Sequence, residues 1–182
     1  MAEDIEITKA REKTDDRNYY LEIVSENPML IEWANAEIRD DKEVILKAVN
    51  TDGGALEFAS DRLKDDKDVV LSSVSQVGWT SCYASDELRN DKDVMLAACI
   101  KDGQSLYYAS EGLRDDKDVV MAAVKNKPII LKYASLRLRD DLEVVLAALE
   151  SEKEKNNKLI KDIVSFASER IASDDEVKKF LE

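Results

Sequence analysis

Residues 41–65 have the sequence DKEVILKAVNTDGGALEFASDRLKD. The next three stretches of 25 residues repeat its pattern: DKDVVLSSVSQVGWTSCYASDELRN at 66–90, DKDVMLAACIKDGQSLYYASEGLRD at 91–115 and DKDVVMAAVKNKPIILKYASLRLRD at 116–140. A fixed period of this length is typical of stacked supersecondary units, because one such unit cannot bury its apolar face alone. The repeat therefore decides the fold class before any single helix is considered.

Weaker copies lie on both sides of these four. Residues 16–40 keep the apolar columns, and residues 141–173 keep them around an insertion of about eight residues near SEKEKNNK, so the copies are numbered here as units 1 to 6. The predicted organisation has an N-terminal extension at 1–15 and tandem repeats at 16–149. An irregular C-terminal repeat, with the insertion and a final capping helix, is predicted at 150–182.

Each unit has apolar residues at helical spacing. In unit 2, Val44 and Ala48 start an apolar stripe, and Leu56, Ala59 and Leu63 follow at i, i+3 and i+7. Because Gly and Pro are scarce, β-hairpins are disfavoured. The prediction is an all-α, right-handed α-solenoid of about six to seven 25-residue helix-turn-helix repeats.

A polar residue precedes each first helix, with a carboxylate three residues later. This spacing predicts a capped helix start, in which the polar side chain accepts from backbone N–H groups. The predicted N-caps are Asp40, Asp65, Asn90, Asp115, Asp140 and, in the last copy, Ser173. The basic residues just before them predict a ladder of exposed charge pairs: Arg39, Lys64, Arg89, Arg114 and Arg139.

The turn between the two predicted helices carries glycine or proline. Gly53, Gly78 and Gly103 are expected to end the first helix in a left-handed conformation. Pro28 and Pro128 occupy the same column and suit the first turn of the second helix.

The formal net charge of −13 argues against direct binding of nucleic acid or anionic membranes, because both are polyanions. The N-terminus lacks the apolar region of a signal peptide, and no apolar run is long enough to span a bilayer. The expected location is the cytoplasm, or a host cell reached without a classical signal.

The chain is not expected to be an enzyme. It has no histidine and only two cysteines, Cys82 and Cys99, which excludes the usual nucleophile–base arrangements and Cys/His metal sets. Phosphate-binding glycine loops are absent from the sequence, so no cofactor or metal is expected. A serine recurs in one column of units 2 to 6, as Ser85 does in unit 3, which indicates a structural role.

The unit pattern, roughly DDKEVVLAAVKxDGxALxYASxxLRx, resembles the family known as domain of unknown function 4116, or DUF4116. The resemblance is clear over residues 16–149 and weak over the last 25 or so. It implies short helical repeats in tandem, and it carries no activity, substrate or catalytic residue over to this chain.

The prediction of a binding surface rests on the positions of the second helix that vary between units. The aromatic column at Trp33, Phe58, Tyr83, Tyr108, Tyr133 and Phe166 is expected to form a packed ladder. In contrast, Trp79, Tyr107, Ile129 and Leu136 occupy columns that vary in size and polarity between units. The spacing i, i+3, i+7 places these columns on one helix face, so they are predicted to form an exposed partner-binding patch.

Two functions follow as hypotheses. The first is a protein-interaction or scaffolding module that binds one protein partner, for which the acidic charge favours a basic ligand. The alternative is an acidic inhibitor that mimics nucleic acid in a basic groove of another protein. A competing interpretation of the patch is that the N-terminal segment or the unit 6 insertion covers it. The oligomeric state stays open.

Overall fold

A computed structural model describes residues 2–155 and 158–181 of the chain. Residues 156–157, which belong to the predicted insertion, and the terminal Glu182 lie outside the described residues. All regular structure in the described part is helical. Within the same part, no helix has the length and apolar character needed to cross a membrane.

Each of units 1 to 5 contains an α-helix, a six-residue 3-10 helix and a short helix. In unit 4 these are Lys92–Lys101, Gly103–Tyr108 and Glu111–Arg114. The other long helices are Arg17–Ile23, Lys42–Thr51, Lys67–Gln76, Lys117–Asn126 and Leu142–Lys155. The other 3-10 helices are Pro28–Trp33, Gly53–Phe58, Gly78–Tyr83 and Pro128–Tyr133, with an α-helix, Ile160–Phe166, at this place in unit 6. The short helices are Ala36–Arg39, Asp61–Lys64, Leu88–Asn90, Leu136–Arg139 and Glu169–Ala172, and Ala2–Glu12 and Asp175–Lys178 lie outside the units.

The second predicted helix is interrupted in every unit, so the prediction of one continuous helix is wrong. In unit 4 the chain is extended at Ala109, with ψ of 150°, and at Ser110, with ψ of 161°. The Ser110 hydroxyl accepts from the Leu113 backbone N–H at 3.3 Å and so caps the short helix. An N-cap residue requires extended backbone, and the recurring serine therefore breaks the helix where it caps the next one.

The N-caps of the long helices lie one residue later than predicted. Asp41, not Asp40, accepts from the backbone N–H groups of Glu43 and Val44, at 3.0 and 3.2 Å. Asp40 instead closes the short helix before it, since its N–H donates to the Ala36 carbonyl. The same shift holds for Asp66, Asp91, Asp116, Asp141 and Asp174.

The charge ladder is made by the residue after each N-cap, not by the residues before it, which corrects the predicted ladder. Lys67 lies 2.8 Å from Asp91 and 2.8 Å from Asp93, the N-cap and third residue of the next unit. The equivalent pairs start at Arg17, Lys42, Lys92 and Lys117. Each N-cap carboxylate thus caps its own helix and holds the preceding unit. Unit 6 has Leu142 at this position, where a ladder contact to the next segment would start.

The turn glycines are needed because of close packing rather than a left-handed backbone, which corrects that prediction. A Cβ added at Gly53 would lie 2.6 Å from the Ser73 carbonyl oxygen on the long helix of unit 3. Gly78 and Gly103 face carbonyls of the following unit in the same way, and none of the three has a positive φ. Pro28 and Pro128 start their 3-10 helices, as predicted.

The core lies between the long helices and the 3-10 helices of neighbouring units. Val44, Leu56 and Leu63 are fully buried, as the apolar periodicity predicts. Each long helix from unit 2 onward packs against the next in chain order, and the 3-10 helices of units 1 to 5 do the same. This arrangement aligns corresponding positions of successive units and places the variable residues along the second half of each unit.

Candidate interaction surface

Three of the four predicted binding residues are exposed. Trp79 is 43% exposed, Tyr107 is 52% exposed and Leu136 is 78% exposed. Trp79 and Tyr107 lie on the 3-10 helices of units 3 and 4, whereas Leu136 is the first residue of the short helix of unit 5. They therefore do not share one face of a continuous helix, because the helix that would align them is interrupted. Ile129 is partly buried and does not line the groove to which Leu136 belongs.

Ring contacts connect Tyr107 to the next unit. Its ring centroid lies 5.2 Å from that of Tyr108 and 5.0 Å from that of Tyr133, and both pairs are edge-to-face. Trp79 packs edge-to-face on Tyr83, with ring centroids 5.8 Å apart. Since the 3-10 helices of units 3 and 4 contact each other, these residues lie on adjoining helices. Trp79, Tyr83, Tyr107, Tyr108, Tyr133 and Leu136 are called the aromatic face below.

The aromatic column itself packs against the core, and most of its rings are partly buried there. Burial raises the pKa of Tyr83 to about 12, with a further contribution from the neighbouring Glu57 carboxylate. Among the described residues, the ring contact that crosses between units uses Tyr107, which lies outside the predicted column.

The N-terminal helix covers unit 1 instead of the aromatic face. The Arg11 guanidinium lies 3.8 Å from the ring centroid of Trp33, and the Tyr20 hydroxyl donates to the Ala10 carbonyl at 3.1 Å. At the other end, the unit 6 helix Ile160–Phe166 packs beside Pro128–Tyr133 but leaves Leu136 exposed. The described residues thus leave the aromatic face open over units 3 to 5.

A groove extends the aromatic face at its C-terminal end. Its walls include Tyr133, Leu136, Arg114, Arg139 and Glu111. Arg114 donates through Nε to the Ala109 carbonyl at 3.0 Å, and Arg139 donates through Nε to the Phe166 carbonyl. Neither guanidinium forms an ion pair with a carboxylate in the part of the chain that is described. Sequence reasoning missed these arginines as site residues, because it assigned their column to the charge ladder.

Unit 5 is the basic unit of an acidic chain. Residues 116–140 contain six Lys or Arg and three Asp or Glu, whereas every other unit has more acidic than basic residues. The Lys132 ammonium lies 4.8 Å from the Tyr133 ring centroid, within the range of a cation–π interaction. The charge excess of this one unit is the sequence signal that could have indicated the groove.

Unit 3 has an unusual polar core behind Trp79. Ser81 is fully buried where units 1, 2, 4 and 5 have Ile31, Leu56, Leu106 and Leu131, and its hydroxyl has no hydrogen-bond partner among the described residues. Ser73 and Thr80 are also fully buried, with their hydroxyl oxygens 2.6 Å apart. Burying an unpaired hydroxyl is unfavourable, so unit 3 is expected to be the least stable of the four regular units.

Two further rows of polar side chains, one at the N-caps and one at the residues before them, form contacts between neighbouring units. Lysine neutralises the N-cap carboxylates, as Lys92 does for Asp116 at 2.9 Å. In the neighbouring row, Asp115 accepts hydrogen bonds from Ser135 and Arg137, which hold the pKa of its carboxyl group below the ordinary value.

The two cysteines are poor nucleophiles. Cys99 is fully buried, and burial raises the pKa of its thiol to about 12. Burial also raises the pKa of the partly exposed Cys82. Both thiols are therefore protonated near neutral pH, which disfavours thiolate chemistry.

Comparison with known families agrees with the repeat pattern. The model of the domain of unknown function DUF4116 matches three consecutive segments, residues 16–64, 66–114 and 116–170. The chain belongs to the DUF4116 family. Each DUF4116 match spans two of the 25-residue units, and the third continues across the unit 6 insertion. No curated protein and no solved structure matches the chain.

Proposed function

We propose that this DUF4116 protein is a non-catalytic protein-binding module, built as a right-handed α-solenoid, that binds one partner through the aromatic face. The observation that carries the proposal is the exposure of Trp79, Tyr107 and Leu136 on adjoining units. Exposed aromatic and apolar groups close together are characteristic of binding surfaces, and Trp and Tyr are frequent anchors there. The packing of long helices in chain order supports the solenoid.

Charge along the module adds to this proposal. Units 1 to 4 are acidic, so a partner surface facing them is expected to be basic. Two cysteines without a disulfide favour a reducing compartment such as the cytoplasm, including that of a host cell.

The alternative, an acidic mimic of nucleic acid, is less well supported by the charge contacts. A mimic needs carboxylates that are free to meet a basic groove, whereas Asp66, Asp91, Asp116 and Asp141 are each paired with a lysine of the preceding unit. Strong weakening of partner binding between low and moderate salt, without dependence on Trp79, would favour the mimic.

The test compares partner capture by the wild-type protein, a Trp79→Ala, Tyr107→Ala, Leu136→Ala triple variant, and an Ile100→Ala control. Ile100 is 63% exposed on the long helix of unit 4, so the control removes apolar surface outside the aromatic face. All proteins are first checked for equal helix content and melting temperature. The proposal expects a protein that wild type and control retain and the triple variant loses, with direct binding then confirmed on the purified partner. Retention by all three would refute it.

A further inference from the structure

We infer that the groove formed by units 4 and 5 binds an acidic peptide segment of the partner, in which a carboxylate lies next to an apolar side chain. This inference rests on the proposed function and names the ligand chemistry of one end of the aromatic face. It follows from the presence of two arginines and exposed apolar surface in the same groove.

Two guanidinium groups provide the anion recognition. Arg114 and Arg139 line the groove, and each uses its Nε on a backbone carbonyl, which fixes the side chain without neutralising its charge. Within the described residues, neither lies in an ion pair. A guanidinium group retains further donors in a planar arrangement that matches a carboxylate. The groove thus holds two oriented cationic groups that form no ion pair with any carboxylate of the described residues.

Apolar surface lines the same groove as the two arginines. Leu136 is 78% exposed, and the Tyr133 ring beside it is in contact with Tyr107. Lys132 over Tyr133 adds a third positive group. An apolar side chain of a ligand that packs on Leu136 and Tyr133 would bring a neighbouring carboxylate close to the arginines.

A peptide fits this charge pattern better than a nucleic acid does. Unit 5 is basic, but units 1 to 4 and unit 6 are acidic. A nucleic acid carries one charge per phosphate along its whole length, so acidic neighbours would repel it. A peptide can place its acidic residues at unit 5 and neutral or basic residues elsewhere. Glu111 in the same groove opposes an anionic ligand and therefore provides a sensitive test.

The experiment selects peptides from a random library displayed on phage against the folded full chain. The dominant peptide is then synthesised with a fluorescent label, and its binding is measured by fluorescence anisotropy. The inference expects the selected peptides to combine Asp or Glu with Leu, Ile or Phe. Basic or purely apolar selected peptides would overturn it, as would a selection that yields no binder.

Variants of the groove then test its chemistry. Arg114→Gln and Arg139→Gln should each weaken binding about tenfold or more, because each removes a charge-assisted contact. Lys125→Gln removes the same charge from the exposed long-helix side of unit 5 and should change affinity less than about twofold. Glu111→Gln should strengthen binding by about twofold to tenfold, a gain that partial unfolding cannot produce.

Different results would refute the proposed function and the acidic-peptide inference. Binding that depends on Trp79 and Tyr107 but not on Arg114, Arg139 or Glu111 would overturn the inference and leave the proposed function standing. Binding that is independent of all these residues would contradict both. Phosphate at millimolar concentration is compared with the unlabelled peptide as a competitor of the labelled one. If phosphate displaces the labelled peptide equally well, the groove binds anions in general, and the acidic-peptide assignment is overturned.

Discussion

The unpaired hydroxyl of Ser81 predicts that a core substitution makes the protein more stable. Ser81→Ala removes a buried hydroxyl that has no hydrogen-bond partner, whose burial costs about 1–3 kcal/mol. The void left by one oxygen atom, roughly 15 Å³, costs about 0.4 kcal/mol at about 24 cal/mol per Å³. The expected net gain in the free energy of unfolding is about 1–2 kcal/mol. For a chain of this size, that gain corresponds to a rise in melting temperature of roughly 2–8 °C.

Ser73→Ala is the matched control in the same unit. Ser73 is equally buried, but its hydroxyl donates to the Gly53 carbonyl at 2.7 Å and contacts Thr80 at 2.6 Å. Removing it should lower the free energy of unfolding by about 1–2 kcal/mol, since the Gly53 carbonyl loses its donor. The same chemical change is thus expected to have opposite signs at two buried serines.

Guanidinium chloride titrations followed by circular dichroism measure both variants. The slope of the free energy against denaturant should stay constant, so that the midpoints report stability. If Ser81→Ala is less stable than wild type, the hydroxyl has a partner such as an enclosed water, and the description of an unpaired hydroxyl in the core of unit 3 is wrong.

Two further predictions concern packing and acid sensitivity. Leu106→Ala removes a fully buried leucine of unit 4 and should cost about 2–5 kcal/mol in the same titration, whereas a negligible cost would refute its place in the core. The lowered pKa of Asp115 means that the folded protein binds fewer protons than the unfolded chain near the ordinary pKa. Stability should therefore fall as the pH is lowered from about 5 toward about 3, and titrations across this range should show a shallower fall for Asp115→Asn.

The sequence predicted the helical repeat and its buried columns because both depend on spacing alone. Val44, Leu56 and Leu63 are buried in the expected register. The interruption before the short helix was missed, since the spacing i, i+3, i+7 fits a continuous helix as well as a 3-10 helix followed by a capped one. The serine of that column, such as Ser60, carries the missed signal, because serine favours N-cap positions.

The exposure of the candidate surface was predicted only in part. Trp79, Tyr107 and Leu136 occupy variable columns, and variation between units indicated exposure. The groove residues Arg114 and Arg139 were missed because the backbone carbonyls that accept from them, at Ala109 in the same unit and at Phe166 in the next, follow from the three-dimensional fold. Sequence alone does not reveal that the lysine after each N-cap, such as Lys92, forms the charge ladder that was predicted for the basic residues before the caps.

The repeated contact from lysine to N-cap carboxylate has a consequence for how such a chain can change length. Every regular unit presents the same cation on one side and the same anion on the other, as Lys67 and Asp91 do at one junction. A duplication or deletion of whole 25-residue units therefore recreates an equivalent junction wherever it falls among them. Gene segments of this period can be gained or lost without inventing a new interface, while the variable residues of each unit remain free to diversify.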